Sequence, residues 1–263
     1  MIKLIATDMD GTLLNDNQEI SQDFEKVFKE LNNKGIIFAA ASGRPYYNLI
    51  DKFKEVKDDM LFIADNGAYV VYKNEELAVS KINNEIIKEL IKIGENIEDS
   101  YIILCGKKNA YFSSDEERFL VEAKKYYNEY KIVKDLNEVD DDIVKFTICD
   151  LKGSEENSYK YYNDYKDRLQ VSVSGKIWLD IMDKGVNKGL AIKKIQDKLG
   201  ISYEETMVFG DYLNDLEMMD YAYHSYSMEN AHDDLKKVSR YQAKKNTEDG
   251  VIEKIKEVIK IKL

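Results

Sequence analysis

Two aspartates, Asp8 and Asp10, stand either side of Met9 in "DMDGTL", directly after the apolar run "IKLIAT". Carboxylates crowded at the end of a buried strand lose hydration and repel each other, so this placement asks for a cation. The same chemistry returns further along the chain. Ser42 opens "SGR" after "IIFAAA", Lys188 sits in "NKG", and Asp211 and Asp215 lie in "GDYLND" after "TMVF". Four carboxylates drawn together form an all-oxygen site that suits Mg²⁺, a cation that keeps waters and bridges to phosphate. Lys188, the Ser42 hydroxyl and the backbone amides of "SGR" offer donors to a phosphoryl group. Transfer of such a group depends above all on positioning and charge neutralisation.

Each motif alone has a plainer meaning as a turn or a helix cap. A D-x-D-G start also opens calcium loops, which want glycine at the sixth position and a carboxylate at the twelfth. Counting from Asp8, Glu19 meets the second demand, but Leu13 occupies the glycine position. Calcium is therefore not the expected ion. What favours chemistry is the order of all four motifs and their position after strand-like runs.

The elements that must position them follow from periodicity. "IKLIAT" and "IIFAAAS" read as buried strands. Between them "SQDFEKVFKELNNKG" reads as a helix with Phe24, Val27, Phe28 and Leu31 on one face. A further helix opens at Pro45. Fully apolar strands alternating with amphipathic helices predict an α/β fold with a parallel, Rossmann-like sheet covered on both faces. The alternation resumes with helix "NKGLAIKKIQDKLG", strand "TMVFG" and the closing helix "TEDGVIEKIKEVIKI". From about residue 82 to 185 the texture changes to helices "NNEIIKELIKIG", "EERFLVEAKKYYNEY" and "YKYYNDYKDRL" among strands "YIILCG", "NAYFS", "IVKFTIC", "QVSVS" and "IWLDIM". The tight "SGK" between the last two strands predicts a hairpin and an antiparallel sheet. The expected organisation is a discontinuous core, 1–81 with 186–263, carrying an inserted α+β domain over 82–185. In an open α/β sheet, ligands bind at the carboxyl ends of the strands, so motifs far apart in sequence should meet there.

Composition bounds the function. With 50 acidic against 39 basic residues and a net charge of −11, the chain repels nucleic acid phosphates, and no nucleic acid partner is expected. The apolar runs are too short to span a bilayer and the opening lacks the pattern of a signal peptide, so no membrane partner and a cytoplasmic location are expected. Cys105 and Cys149 lie in strand-like runs without CxxC pairing and read as reduced core thiols. The only two histidines, His224 and His232, fall in polar segments, which leaves little for a histidine-based triad or a zinc site. The tyrosines of "YKYYNDYKDRL" read as an ordinary helix face rather than a base-stacking platform.

Taken together, the motifs resemble those of the haloacid dehalogenase superfamily of phosphatases, in particular its Cof-type sugar phosphatase branch. "DMDGTL" is similar to the first motif, "SGR" to the second, "NKG" to the third and "GDYLND" to the fourth. "DNGAYVV", "SMENA" and "EDGV" resemble further blocks of the branch. The inserted region falls where that branch carries its large α/β cap. The resemblance implies that Asp8 is a nucleophile forming a phospho-aspartate and that Asp10 is the acid and then the base. It further implies Mg²⁺ held by the Asp8 side chain, the Asp10 carbonyl and Asp211 with support from Asp215. Phosphoryl oxygens would be held by the Met9 amide, Ser42, Gly43, Lys188 and Asn214. Arg44, Asn66, Gly67 and Asp180 would grip the substrate, a small phosphorylated metabolite such as a sugar phosphate. The chain departs from the pattern at Asp65, where glutamate is usual, at Glu229, where glycine is usual, and at Leu213, commonly a polar position. A phosphotransferase or mutase of the same superfamily, or a silent protein retaining the fold, are the alternative readings.

Overall fold

The structure is a computed structural model and describes residues 1–261. In chain order its first part holds β1 (Leu4–Asp8), α1 (Phe24–Asn33), β2 (Ile37–Ala41), α2 (Tyr46–Lys52), β3 (Leu61–Ala64), β4 (Tyr69–Tyr72) and β5 (Glu75–Val79). The middle part holds α3 (Asn84–Gly94), β6 (Ser100–Gly106), β7 (Ala110–Phe112), α4 (Glu117–Ala123), β8 (Tyr130–Ile132), β9 (Ile143–Asp150), β10 (Leu169–Gly175) and β11 (Trp178–Asp183). The last part holds α5 (Lys188–Leu199), β12 (Thr206–Gly210), α6 (Leu216–Asp220), β13 (His224–Met228), α7 (Asp233–Val238), β14 (Tyr241–Ala243) and α8 (Gly250–Ile259).

Two compact units result: Met1–Gly43 with Phe53–Ala78 and Asn187–Leu263, and Arg44–Lys52 with Val79–Val186. The second unit thus takes α2 as well as the middle segment, because Tyr47 packs with its Tyr101 and Phe112 cluster and Asn48 donates to the Tyr126 carbonyl at 2.6 Å.

The first unit is built on one sheet in the order β14-β13-β12-β1-β2-β3-β4-β5. β14 through β3 run parallel and β4 returns antiparallel to β3. β1 and β12 are buried along their whole length, as strands covered on both faces must be. The chain leaves β1 toward β2 and β3, and later returns on its other side through β12, β13 and β14. β1 therefore lies at the switch point where α/β sheets open a crevice beyond their carboxyl ends. The predicted helix face is present: Phe24, Val27, Phe28 and Leu31 are buried, and Phe24 meets Phe38 edge-on with centroids 5.4 Å apart.

The second unit is a sheet in the order β10-β11-β9-β6-β7-β8, antiparallel except where β8 joins β7. One face packs Ile87 and Leu90 of α3 on Phe146, Ile148 and Tyr162, and the other packs Phe119 of α4 on Tyr101 and Phe112. The "SGK" hairpin forms as predicted. Two helices are shorter than their periodicity suggests. Tyr159–Tyr165 is a 3₁₀ segment whose neighbouring turns are closed by i→i−3 bonds such as Tyr161 to Ser158. Its Tyr, Asn and Asp residues are poor α-formers, and only Tyr162 is buried. α4 stops at Ala123, because Tyr130 must be extended to pair with Ala110 of β7. β13, with the polar sequence "HSYSM", carries no strand signal of its own and forms by pairing with β12.

Candidate active site at the strand ends of the first unit

Asp8 is the last residue of β1, Ser42 and Gly43 follow β2, Asp65 to Gly67 follow β3, and Asp211 follows β12. The parallel sheet thus delivers the predicted residues to one rim. Lys188 is the first residue of α5, whose N-cap Asn187 accepts from the Leu190 amide at 2.7 Å. Its ammonium is fully buried and donates to Asp8 Oδ1 at 2.5 Å and Asp215 Oδ1 at 2.7 Å. Asp215 is saturated by its surroundings: its other oxygen accepts from the amides of Asp211 at 3.0 Å and Tyr212 at 3.2 Å. Gly210 permits this, since a Cβ there would lie 2.6 Å from that of Asp215.

Asp211 is held from the other side. Its Oδ1 accepts from the Thr12 hydroxyl at 2.6 Å and its carbonyl from the His232 amide at 2.8 Å. Gly11, at φ 78°, has to be glycine twice over, because a side chain would also strike the Asp211 carboxylate. Carboxylate oxygens of Asp8, Asp211 and Asp215 all lie within 4.8 Å of one another. Electrostatics follow from that crowding. Burial raises the Asp8 carboxyl well above its ordinary range; Lys188 opposes the rise and Asp215 and Asp211 add to it. Asp211 is pushed up to about 6, chiefly by burial, against the Thr12 hydrogen bond and with a further push from Asp215. For Lys188, burial works against its charge, but the Asp215 and Asp8 carboxylates outweigh it and keep the ammonium protonated. Three carboxylates against one ammonium leave an excess of negative charge. An all-oxygen donor set of this kind fits a hard divalent cation.

A second group forms beside it. Asn66 donates its amide to the Ser42 carbonyl at 2.9 Å, and its side-chain Oδ1 accepts from Asn214 Nδ2 at 3.3 Å. The Asn66 side chain also crosses Gly43 so closely that a Cβ there would sit 3.2 Å from Nδ2. Asp65, Asn66 and Gly67 are all left-handed, at φ 46°, 54° and 100°. That turn brings Gly67 against the Asn187 carbonyl, immediately before Lys188. Ser42 is buried, and Asp10, in the loop after β1, is exposed and forms an isolated parallel bridge with Leu14. The Met9 carbonyl accepts from the Leu14 amide at 2.9 Å, which curls that loop back on the strand.

Of the predicted substrate residues, Arg44 and Asp180 belong to the second unit and the rest to the first. Asp180 is buried in the second sheet, where its Oδ1 accepts from Thr147 at 2.7 Å, and Thr147 lies 3.8 Å from Cys105 Sγ. Glu229, the departure at the "SMENA" block, is half-exposed and faces Lys245 at 3.8 Å. Sequence reasoning reads Thr12 only as part of the turn after the two aspartates and passes over Asn230 and Asn246. Asn230 and Asn246 sit in or near the "SMENA" and "EDGV" blocks, which was the available signal.

Over residues 5–255 the chain matches the haloacid dehalogenase-like hydrolases. It belongs to that family. It is 31% identical to the 5-amino-6-(5-phospho-D-ribitylamino)uracil phosphatase YbjI of Escherichia coli, over 98% of this chain and 97% of the relative. It is 27% identical to the phosphatase YcsE of Bacillus subtilis, which bears the same substrate name, over 97% and 95% of the two chains. The crystal structure of SMU.1108c from Streptococcus mutans superposes with a TM-score of 0.88 at 31% identity, covering 99% of this chain and all of the other. The haloacid dehalogenase-like protein is thus a phosphoric monoester hydrolase in a family whose named relatives are phosphatases. Among its described residues no helix is long and apolar enough to cross a membrane.

Proposed function

We propose that this phosphatase is Mg²⁺-dependent and removes phosphate from a small sugar or sugar-alcohol phosphate through an aspartyl-phosphate. The observation that carries the reading is Asp8 at the end of β1, bound by Lys188 and beside Asp211, with Asp10 exposed two residues on. The relatives' named substrate carries its phosphate on a ribityl chain, which supports a polyol phosphate as the substrate class.

The chain's residues divide the work as follows. Lys188 fixes Asp8 Oδ1 and offsets part of the rise that burial imposes on its carboxyl, and Asp8 attacks phosphorus. As the bond from phosphorus to the leaving oxygen breaks, Asp10 gives that oxygen its proton. Asp10 then takes a proton from water, whose oxygen attacks phosphorus. The bond to Asp8 breaks and inorganic phosphate leaves with Asp8 regenerated. Ser42, Asn214 and the amides of Met9 and Gly43 hold the phosphoryl oxygens, with Lys188 at their edge. Asp8, Asp211 and the Asp10 carbonyl would hold Mg²⁺, with Asp215 in support, and the bound ion supplies positive charge to the phosphoryl oxygens and the crowded carboxylates. Arg44, Asn66, Gly67 and Asp180 are the candidates for recognising the substrate's polyol end, and the inserted segment, 82–185, is the candidate cap.

The test is phosphate release from a panel of pentose, hexose and polyol phosphates, with and without Mg²⁺. Hydrolysis of at least one member, lost on chelation and reduced by about a thousandfold or more in Asp8→Asn, is expected. Hydrolysis unaffected by Asp8→Asn would overturn the reading, and isomerisation without free phosphate would replace it with a mutase.

A further inference from the structure

Two open sheets have four edges, and among the described residues these are β14 and β5 in the first unit and β10 and β8 in the second. An edge strand presents N–H and C=O groups that pair with any extended chain unless something blunts them. Three of the four are blunted. β14 spans only Tyr241–Ala243 and lies between Arg240 and Lys244. β8 spans only Tyr130–Ile132, with Lys131 at its centre. β5 opens on Glu75 and Glu76, and the Lys198 ammonium donates to its Leu77 carbonyl.

β10 has none of these devices. It runs Leu169–Gly175, "LQVSVSG", without a charge or a proline, and among the described residues its one strand neighbour is β11. Only its far end is taken up: the register shifts between Val173 and Gly175, and Ser154 Oγ donates to the Gly175 carbonyl at 2.9 Å. Leu169 to Val173 are left as a regular edge. Alternation puts Leu169, Val171 and Val173 on the face covered by α3, and Gln170 and Ser172 on the other. Leu169 and Val171 pack into the cluster beneath, whereas Val173 is 40% exposed. Tyr161, on the 3₁₀ segment that packs against β10, is 48% exposed. The open backbone edge is thus bordered by apolar surface.

Charge and residue order select what fits there. Two copies of a chain with a net charge of −11 repel, so a contact between them needs a stretch free of charge. β10 is such a stretch, and its order is self-complementary. A two-fold axis, the commonest symmetry of homo-oligomers, can set an edge strand antiparallel to its own copy. An axis through Val171, the middle of the regular stretch, places Val171 opposite its copy, Leu169 opposite Val173 and Gln170 opposite Ser172. Apolar side chains then meet on one face and an amide meets a hydroxyl on the other, the cross-strand matches that stabilise an antiparallel ladder. A foreign strand would have to bring this alternation with it, whereas a second copy already has it.

We infer that the β10 edge is a self-association surface, which joins a second copy of this chain through an antiparallel seam of β10 on β10 with its two-fold axis at Val171. The sheets of the two second units run on as one across that seam. The inference stands on the second unit alone and does not depend on the proposed reaction.

The test is sedimentation velocity of the full chain over a dilution series, in the wild type, Val173→Lys and Val121→Lys. Val121 is an exposed valine of α4, which packs over β6 and β7 away from the seam, and it controls for the added charge. The wild type should sediment at twice the mass of one chain and dissociate on dilution. Val173→Lys should raise the dissociation constant by about tenfold or more, because it sets an ammonium against Leu169 of the other copy. Val121→Lys should match the wild type, and far-UV circular dichroism certifies that both variants are folded. Hydrogen exchange of the wild type needs no variant: the amides of residues 169–173 should slow as concentration rises, while those of β14 and β5 do not. A wild type that keeps the mass of one chain at every concentration would overturn the inference. So would a dimer that Val173→Lys leaves intact, or one whose residues 169–173 exchange at the same rate at every concentration.

Discussion

Lys188 and Asp215 are both closed off from solvent and meet at 2.7 Å, Nζ to Oδ1, with Asp8 on the same ammonium at 2.5 Å. The lysine is the shared counter-charge of two carboxylates that come from opposite ends of the chain. Such a triad holds geometry at the expense of desolvation, and it survives because each member satisfies another. Lys188→Met should therefore cost about 3–5 kcal/mol of stability, since it leaves buried charge uncompensated. Adding Asp215→Asn should recover part of that loss without restoring phosphatase activity. Urea denaturation of the single and double variants measures the recovery, and strictly additive losses would show that the pair is not coupled.

Gly67 tests the second group. A β-carbon there would meet the Asn187 carbonyl at 2.6 Å and the Ala191 side chain at 2.9 Å, on a backbone already at φ 100°. Gly67→Ala should destabilise by about 1–3 kcal/mol from strain alone. It should also displace Asn187 and with it the start of α5, so kcat should fall more than the stability loss explains at a temperature where the variant is fully folded. Chemical denaturation and steady-state rates on one preparation check both. A variant as stable and as active as the parent would refute the close approach.

Glu229→Gly makes the opposite forecast. The carboxylate is half-exposed and faces Lys245 only at 3.8 Å, a separation at which surface pairs contribute little. Replacing it with glycine should shift stability by less than about 0.5 kcal/mol. It should also leave kcat/KM for the preferred substrate within about twofold. A change of substrate preference on the phosphate panel would show that the side chain acts on the ligand after all.

Much of this site was legible in the sequence because strand ends announce themselves. Apolar runs stopping at Asp8, Ser42 and Asp211 identify the rim without coordinates, and parallel pairing of β1 with β2 and β12 brings them side by side. What stayed hidden were contacts made by ordinary residue types at unmarked places. Thr12 reads as part of a turn until its hydroxyl is found 2.6 Å from Asp211, and Asn246 reads as a loop residue until its amide is found at the Leu14 carbonyl. β13 was equally silent, since "HSYSM" has no apolar run and owes its strand to a neighbour. The 3₁₀ run of tyrosines misled in the other direction, its spacing suggesting an α-helix that its residue types do not sustain.

Asp211 gives the site a pH signature. Its carboxyl is raised from the ordinary 3.8 to about 6 in the folded protein, through burial first and the Asp215 charge besides. A raised folded value means that the neutral form is favoured by folding. Its contribution to stability is therefore complete below about pH 4 and is lost as pH rises through about 6. At the proposed site Mg²⁺ would bind the ionised form and reverse that loss. The shift in Tm produced by saturating Mg²⁺ should accordingly grow between about pH 5 and pH 7.5, most steeply near 6. Asp211→Asn lacks this titration, so its response should be smaller and should rise less near pH 6 than that of the parent, whatever Asp8 adds in both. Thermal melts with and without the ion read this directly. A parent response to Mg²⁺ that is absent, or independent of pH, would separate Asp211 from the metal.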